Sequence, residues 1–111
     1  MLKGKMVRIR QRRYFPEQKL WAFVGNVTDF SENWVCLEGK GIVVVRGKSV
    51  PAEIDEAPRP LMIPRDNIAN IRILPHDFDL DHIEICFEGI KVGIKVKGAP
   101  DTWISEVGEA T

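Results

Sequence analysis

Leu61-Met62-Ile63-Pro64-Arg65-Asp66-Asn67-Ile68-Ala69-Asn70-Ile71-Arg72-Ile73-Leu74 reads as two short apolar strands, Leu61–Ile63 and Ile68–Leu74, separated by Pro64-Arg65-Asp66-Asn67. Each is too short to bury a helix face. Isoleucine suits a pleated surface, and proline, aspartate and asparagine are residues of a tight connection. Short strands of this kind leave open backbone edges, which folded proteins cap or pair.

The same two-residue period runs outward in both directions. Toward the N-terminus, Arg46 to Pro60 is turn-rich and polar, with Pro51, Pro58 and Pro60, and is expected to protrude as a hairpin or ordered loop. Before it, Trp34–Leu37 leads into Glu38-Gly39-Lys40-Gly41, a hairpin signal, followed by the β-branched strand Ile42–Val45. Leu20–Thr28 is a further strand, with Gly25 marking a bend or bulge, and Asp29–Asn33 is a turn. In Met6–Arg13, Val7 and Ile9 alternate with Arg8 and Arg10, which predicts a strand with one wet face. Tyr14-Phe15-Pro16-Glu17-Gln18 connects it onward, since Pro16 bars a continuous ladder.

Toward the C-terminus, a hairpin turning at Glu88-Gly89 would set Phe87 against Ile90, Ile85 against Val92 and Ile83 against Ile94, all on one face. The other face would pair Cys86 with Lys91 and His82 with Lys95. Asp101–Glu109 is expected to form a short terminal helix with Asp101 as its N-cap. Short strands joined by Gly/Pro turns define an all-β class, a small barrel or sandwich, and 111 residues suit one domain spanning 1–111.

Sixteen basic residues balance sixteen acidic ones, so the net charge is zero, and binding of nucleic acid over the whole surface is not expected. The charges are polarised. Lys3, Lys5, Arg8, Arg10, Arg12, Arg13 and Lys19 crowd the beginning, whereas Asp77, Asp79, Asp81, Glu84 and Glu88 form an acidic block. Cys36 and Cys86 lie in separate apolar stretches and read as small buried hydrophobes, with no disulfide framework or zinc spacing. Met1 to Arg13 has no apolar core run of a signal peptide, and the run Ile42–Val45 is too short to span a membrane, so the expected compartment is cytoplasmic.

Motifs for catalysis are weak. Asp77, Asp79 and Asp81 alternate and would share a face of an extended chain, but His82 stands where a calcium loop needs glycine, so no metal is expected. His76 and His82 sit in no nucleophile or ligand signature. Gly47-Lys48-Ser49 supplies only the end of a phosphate-loop pattern. No cofactor and no enzymatic activity are expected. Of the aromatics, Trp21 and Trp34 read as core or subunit contacts, whereas Tyr14 and Phe15, set among Arg12, Arg13 and Lys19, suit base stacking.

Two segments resemble the Sm-like family of small five-stranded barrels, which includes eukaryotic Sm and Lsm proteins and bacterial Hfq. Gly25-Asn26-Val27-Thr28-Asp29-Phe30-Ser31-Glu32-Asn33-Trp34-Val35-Cys36-Leu37 is similar to the family's first motif, with Gly25, Val27 and Phe30 at its glycine and apolar positions. Leu61–Ile71 is similar to the second, and the strand from Lys5 to Arg10 completes the likeness. Ser31 stands where aspartate is usual, Asp66 brings a negative charge toward phosphate, the insertion Arg46 to Pro60 is long, and the hairpin His82 to Lys97 is additional. The resemblance implies an Sm-like (SH3-like) barrel whose edges pair between subunits in a homo-oligomeric ring that binds RNA or other single-stranded nucleic acid. By position it assigns that role to Ser31, Glu32 and Asn33 in one loop and Arg65, Asp66 and Asn67 in the other. With the basic N-terminal strand and its aromatics, the expected nucleic-acid-binding set is Arg65, Asn67, Asn33, Arg8, Arg10, Arg12 and Tyr14. The alternative is a protein-binding assembly or scaffolding barrel that uses the loop around Val50–Pro60 and the terminal hairpin.

Overall fold

In the computed structural model, residues 2–15, 18–44, 52–88 and 91–105 are described. They form two antiparallel sheets. The strands are β1 (Met6–Gln11), β2 (Trp21–Phe30), β3 (Trp34–Val44), β4 (Ala52–Ile54), β5 (Arg59–Pro64), β6 (Ile68–Ile73), β7 (Ile85–Glu88), β8 (Lys91–Ile94) and β9 (Thr102–Ser105). The larger sheet runs β4-β3-β2-β1-β6 with β5 also on β3, and the smaller runs β7-β8-β9.

The segment Leu61 to Leu74 forms as its composition predicts. A one-turn 3-10 helix, Arg65–Asn67, separates β5 from β6. Those two consecutive strands lie on opposite edges of the sheet, because β5 pairs with β3 while β6 pairs with β1. Ile63 of one edge and Ile68 and Ile71 of the other nevertheless share an apolar cluster with Val7, Ile9, Val27, Val35 and Leu37. The sheet therefore curls around that cluster, although no ladder joins β5 to β6 among the described residues.

Pro60 and Pro64 are tolerated in β5 for a backbone reason. Arg65 N–H donates to Asn33 O at 2.9 Å, which makes 65 and 33 a hydrogen-bonded pair of the β3·β5 register. Alternation then turns the backbone groups of Pro64, Met62 and Pro60 away from β3, where a missing N–H costs the ladder nothing.

Four expectations are corrected. No hairpin forms at Glu38–Gly41; β3 runs straight through it, with Gly39 opposite Gly25 and Gly41 opposite Phe23. Beyond the glycines, β3 exchanges one partner for another: Trp34–Gly39 pair with β5 and Ile42–Val44 with β4. Asp55 bridges the interruption, giving its N–H to Gly41 O at 3.0 Å and accepting Gly41 N–H on Oδ2 at 2.8 Å. Part of the expected 46–60 loop is thus ladder, while 45–51 lies outside the described residues. The terminal helix is also absent over its first half, since Thr102–Ser105 is a strand on β8; residues 106–111 lie outside the described set. Finally, Ile85 faces Ile94 and Phe87 faces Val92, in place of the expected pairings of Ile85 with Val92 and Phe87 with Ile90; residues 89 and 90 lie outside the described set. The shift is two residues, so Ile85, Val92 and Ile94 keep their common face.

The second sheet packs on the first through Val92, Ile94, Val96 and Ile104 against Met6, Ala22, Val24, Ile42, Val44 and Leu74. Burying each such aliphatic side chain stabilises by about 1.5–3 kcal/mol relative to exposure. Both faces of β1 are consequently covered: Val7 and Ile9 inside the curl, Met6, Arg8 and Arg10 toward the second sheet.

Candidate nucleic-acid interface

That covering decides where Arg8 and Arg10 act. Each is only 4% exposed, so neither belongs to a nucleic-acid surface, and the expected wet face of β1 is corrected. Arg8 Nε donates to Thr102 Oγ1 at 2.9 Å and its Nη1 to Asn70 Oδ1. Arg72, opposite Arg8 in the register, donates to the carbonyls of Asp101 at 2.9 Å and Pro100 at 2.8 Å. Charged donors on β1 and β6 thereby fasten the start of β9 to the first sheet. Replacing Arg8 with methionine keeps its length but leaves Asn70 and Thr102 with lost partners. We expect Arg8→Met to lower stability by about 3 kcal/mol, since hydrogen bonds from a charged donor are lost and buried acceptors are left unpaired, read by urea unfolding. A urea midpoint equal to the parent's would show that these bonds do not fasten the start of β9.

The other five expected residues converge. Asn33 closes the β2–β3 loop, where Ser31 Oγ accepts the N–H groups of Asn33 and Trp34, each at 3.2 Å. The Arg65 backbone N–H reaches Asn33 O at 2.9 Å, and its guanidinium Nη1 reaches Ser31 O at 3.0 Å, so the two motif loops are joined twice. From the far side, Arg12 N–H donates to Asn67 O at 2.6 Å, extending the β1·β6 ladder past its bulge. The Tyr14 hydroxyl donates to Asp66 O at 3.0 Å and lies 3.3 Å from Asn67 Oδ1. Loop 31–33, turn 65–67 and the end of β1 are therefore one connected surface.

Sequence reasoning missed the brace of that surface. Gln18 Oε1 accepts Tyr14 N–H at 2.9 Å, Gln18 N–H donates to Phe15 O at 3.1 Å, and its side-chain amide reaches Arg12 O at 3.5 Å. Nothing in its local composition marks this role, which depends on the turn closing back on itself.

The acidic block sits elsewhere. A cavity of about 600 Å³ is lined by Asp77, Phe78, Asp79 and His82 together with Lys95 and Lys97. Asp79 is already engaged: His82 Nδ1 lies 2.7 Å from Oδ2, and Asp81 N–H donates to Oδ1 at 2.9 Å. The His82 hydrogen bond, chiefly, and then the Asp81 amide hold its carboxyl below the usual carboxylate range. Trp21 stacks on Phe23 with centroids 6.1 Å apart, but Trp34 is 41% exposed.

No protein-family model matches the chain, and neither a curated protein nor a solved structure matches it.

Proposed function

We propose that the chain is a non-enzymatic, Sm-like module that assembles head to tail into a ring and binds single-stranded nucleic acid, chiefly RNA, at the surface formed by loop 31–33, turn 65–67 and the end of β1. One observation carries this reading: Arg65 ties both motif loops together through Asn33 and Ser31, which puts residues distant in the chain on one surface. The strand order supports the small-barrel part. Five consecutive ladder partners curl around one core, with a 3-10 turn carrying the chain from one edge to the other.

Ring assembly draws support from the chemistry of the two edges. The outward edge of β5 offers the carbonyls of Pro60, Met62 and Pro64 but only one N–H, that of Met62. Leu74 N–H donates to Met6 O at 2.8 Å, so alternation turns Ile71 and Ile73 outward on β6, each with its N–H and carbonyl. An acceptor-rich edge and an edge that keeps its donors complement each other between copies, whereas two β5 edges do not. A contact between unlike patches closes into a ring when its rotation permits.

The protein-binding alternative is favoured by Phe87, which is 57% exposed on the second sheet. Solution mass, measured with absorbance at two wavelengths, separates the readings. A multimer that copurifies with nucleic acid and binds short single-stranded oligonucleotides at low salt is expected. A monomer with no oligonucleotide binding at low salt overturns the proposal.

A further inference from the structure

We infer that Tyr14 and Phe15 form a stacking platform for unpaired bases, and that base stacking rather than phosphate neutralisation supplies most of the affinity of this surface. The inference rests on the nucleic-acid reading above and specifies what in the ligand is recognised.

Two consecutive aromatic side chains stand 60% and 55% exposed at the end of β1. Neither serves an apolar core cluster among the described residues. Two adjacent exposed rings make a contiguous apolar patch, the kind of surface that marks a contact site. Moreover, the turn presenting them is held in place. The Tyr14 hydroxyl is anchored on the Asp66 carbonyl, and Gln18 clasps the backbone at Tyr14 and Phe15. Ordering entropy that a loose loop would lose on binding is therefore already spent.

Charge argues in the same direction. Arg12, Arg13, Lys19 and Arg65 are the cations of the segments that form or adjoin this surface, and Glu32 and Asp66 are acids of its two loops. Arg12 and Arg65 further commit guanidinium nitrogens to the carbonyls of Ile68 and Ser31. Four cations set against two carboxylates neutralise few phosphates, so counterion release contributes little. The slope of log affinity against log salt should correspond to about one or two phosphates. A π-face accepts every base, and each stacked base contributes a factor of about 5 to 150 in affinity.

The test compares a short oligoadenylate with an abasic oligonucleotide of the same length, which keeps the phosphates and removes the bases. The oligoadenylate should bind at least about tenfold more tightly, with the shallow salt slope. In Tyr14→Leu/Phe15→Leu its affinity should fall to the abasic level, while the protein stays folded, its solution mass is unchanged and its affinity for the abasic probe is kept. Tyr14→Phe, which keeps the ring and removes the anchor, should fall between. Equal binding of the two probes overturns the stacking inference and leaves the nucleic-acid reading standing. Retained base preference in the double leucine variant overturns it as well. Failure of both probes to bind overturns both readings together.

Discussion

Gly39→Ala is expected to remove about 3–5 kcal/mol of stability, much of the roughly 5–15 kcal/mol that a domain possesses. A Cβ at Gly39 would stand 2.1 Å from Val24 O, 2.8 Å from Val24 C and 2.7 Å from Gly25 Cα. A Cβ at Gly25 meets the same obstacle, 2.4 Å from Glu38 O and 2.6 Å from Gly39 Cα. Every one of those atoms is backbone, and the two glycines face each other in the β2·β3 ladder. Relief requires parting the two longest strands of the sheet where neither has slack. The neighbouring glycine provides the contrast. At Gly41 the nearest atoms are side-chain atoms, Asp55 Oδ2 at 3.2 Å and the Phe23 and Trp21 rings at 3.4 Å.

Urea unfolding of an alanine series therefore has a predicted order. Gly39→Ala and Gly25→Ala should be worst, by several kcal/mol. Gly98→Ala should be intermediate at about 1–2 kcal/mol, because its φ of +78° strains any side chain while no atom lies within 4 Å. Gly41→Ala should cost below about 1 kcal/mol, since side chains can yield. The alternative explanation of Gly39 is that it merely punctuates the strand, in which case it should resemble Gly41. A Gly39→Ala protein within about 1 kcal/mol of the parent would support that alternative and remove the close approach of β2 and β3 as a determinant of the curl.

Gly39 also shows why some of this fold was legible in the sequence and some was not. Gly39-Lys40-Gly41 has the composition of a turn, and only Gly25, fourteen positions earlier and across the ladder, shows it to be the interior of a continuous strand. Local composition cannot carry that information. The β1 alternation was read correctly as strand, yet alternation reports that two faces differ and not what covers each. Thr102 and Asn70 cover Arg8, and both come from segments whose pairing is remote in sequence. The terminal helix failed similarly. Asp101 after Pro100 resembles an N-cap, but its carboxylate accepts Val96 N–H at 3.2 Å, and Trp103 pairs with Gly93 on β8. By contrast, Leu61 to Leu74 was legible because its two strands, its proline and its turn all agree locally. The loops proposed to bind inherit that legibility: Asn33, Arg65 and Asn67 flank strands whose boundaries were clear, whereas the Gln18 brace and the burial of Arg10 depend on tertiary closure.

If copies pair through the β6 edge as proposed, Ile71→Pro is expected to convert the assembly to monomers while leaving the strands intact. Ile71 lies opposite Ile9 in the β1·β6 register, one position away from the hydrogen-bonded Arg8–Arg72 pair, so its N–H points out of the sheet. Proline there removes an outward donor and no internal ladder bond, which is the circumstance in which edge strands accept it. Opposite it in an antiparallel β5·β6′ contact would stand Met62, the one β5 residue of Pro60, Met62 and Pro64 that can return a hydrogen bond. The substitution would thus delete a reciprocal pair at the centre of the contact and put a ring where the strands must approach. Val at the same position keeps the donor and the β-branched shape, so Ile71→Val should retain the parent mass. Sedimentation supplies the masses, and far-ultraviolet circular dichroism shows whether strand content persists. If Ile71→Pro keeps both the parent's multimeric mass and its strand signal, the β6 edge is not where copies meet, and the head-to-tail ring built on it fails with it.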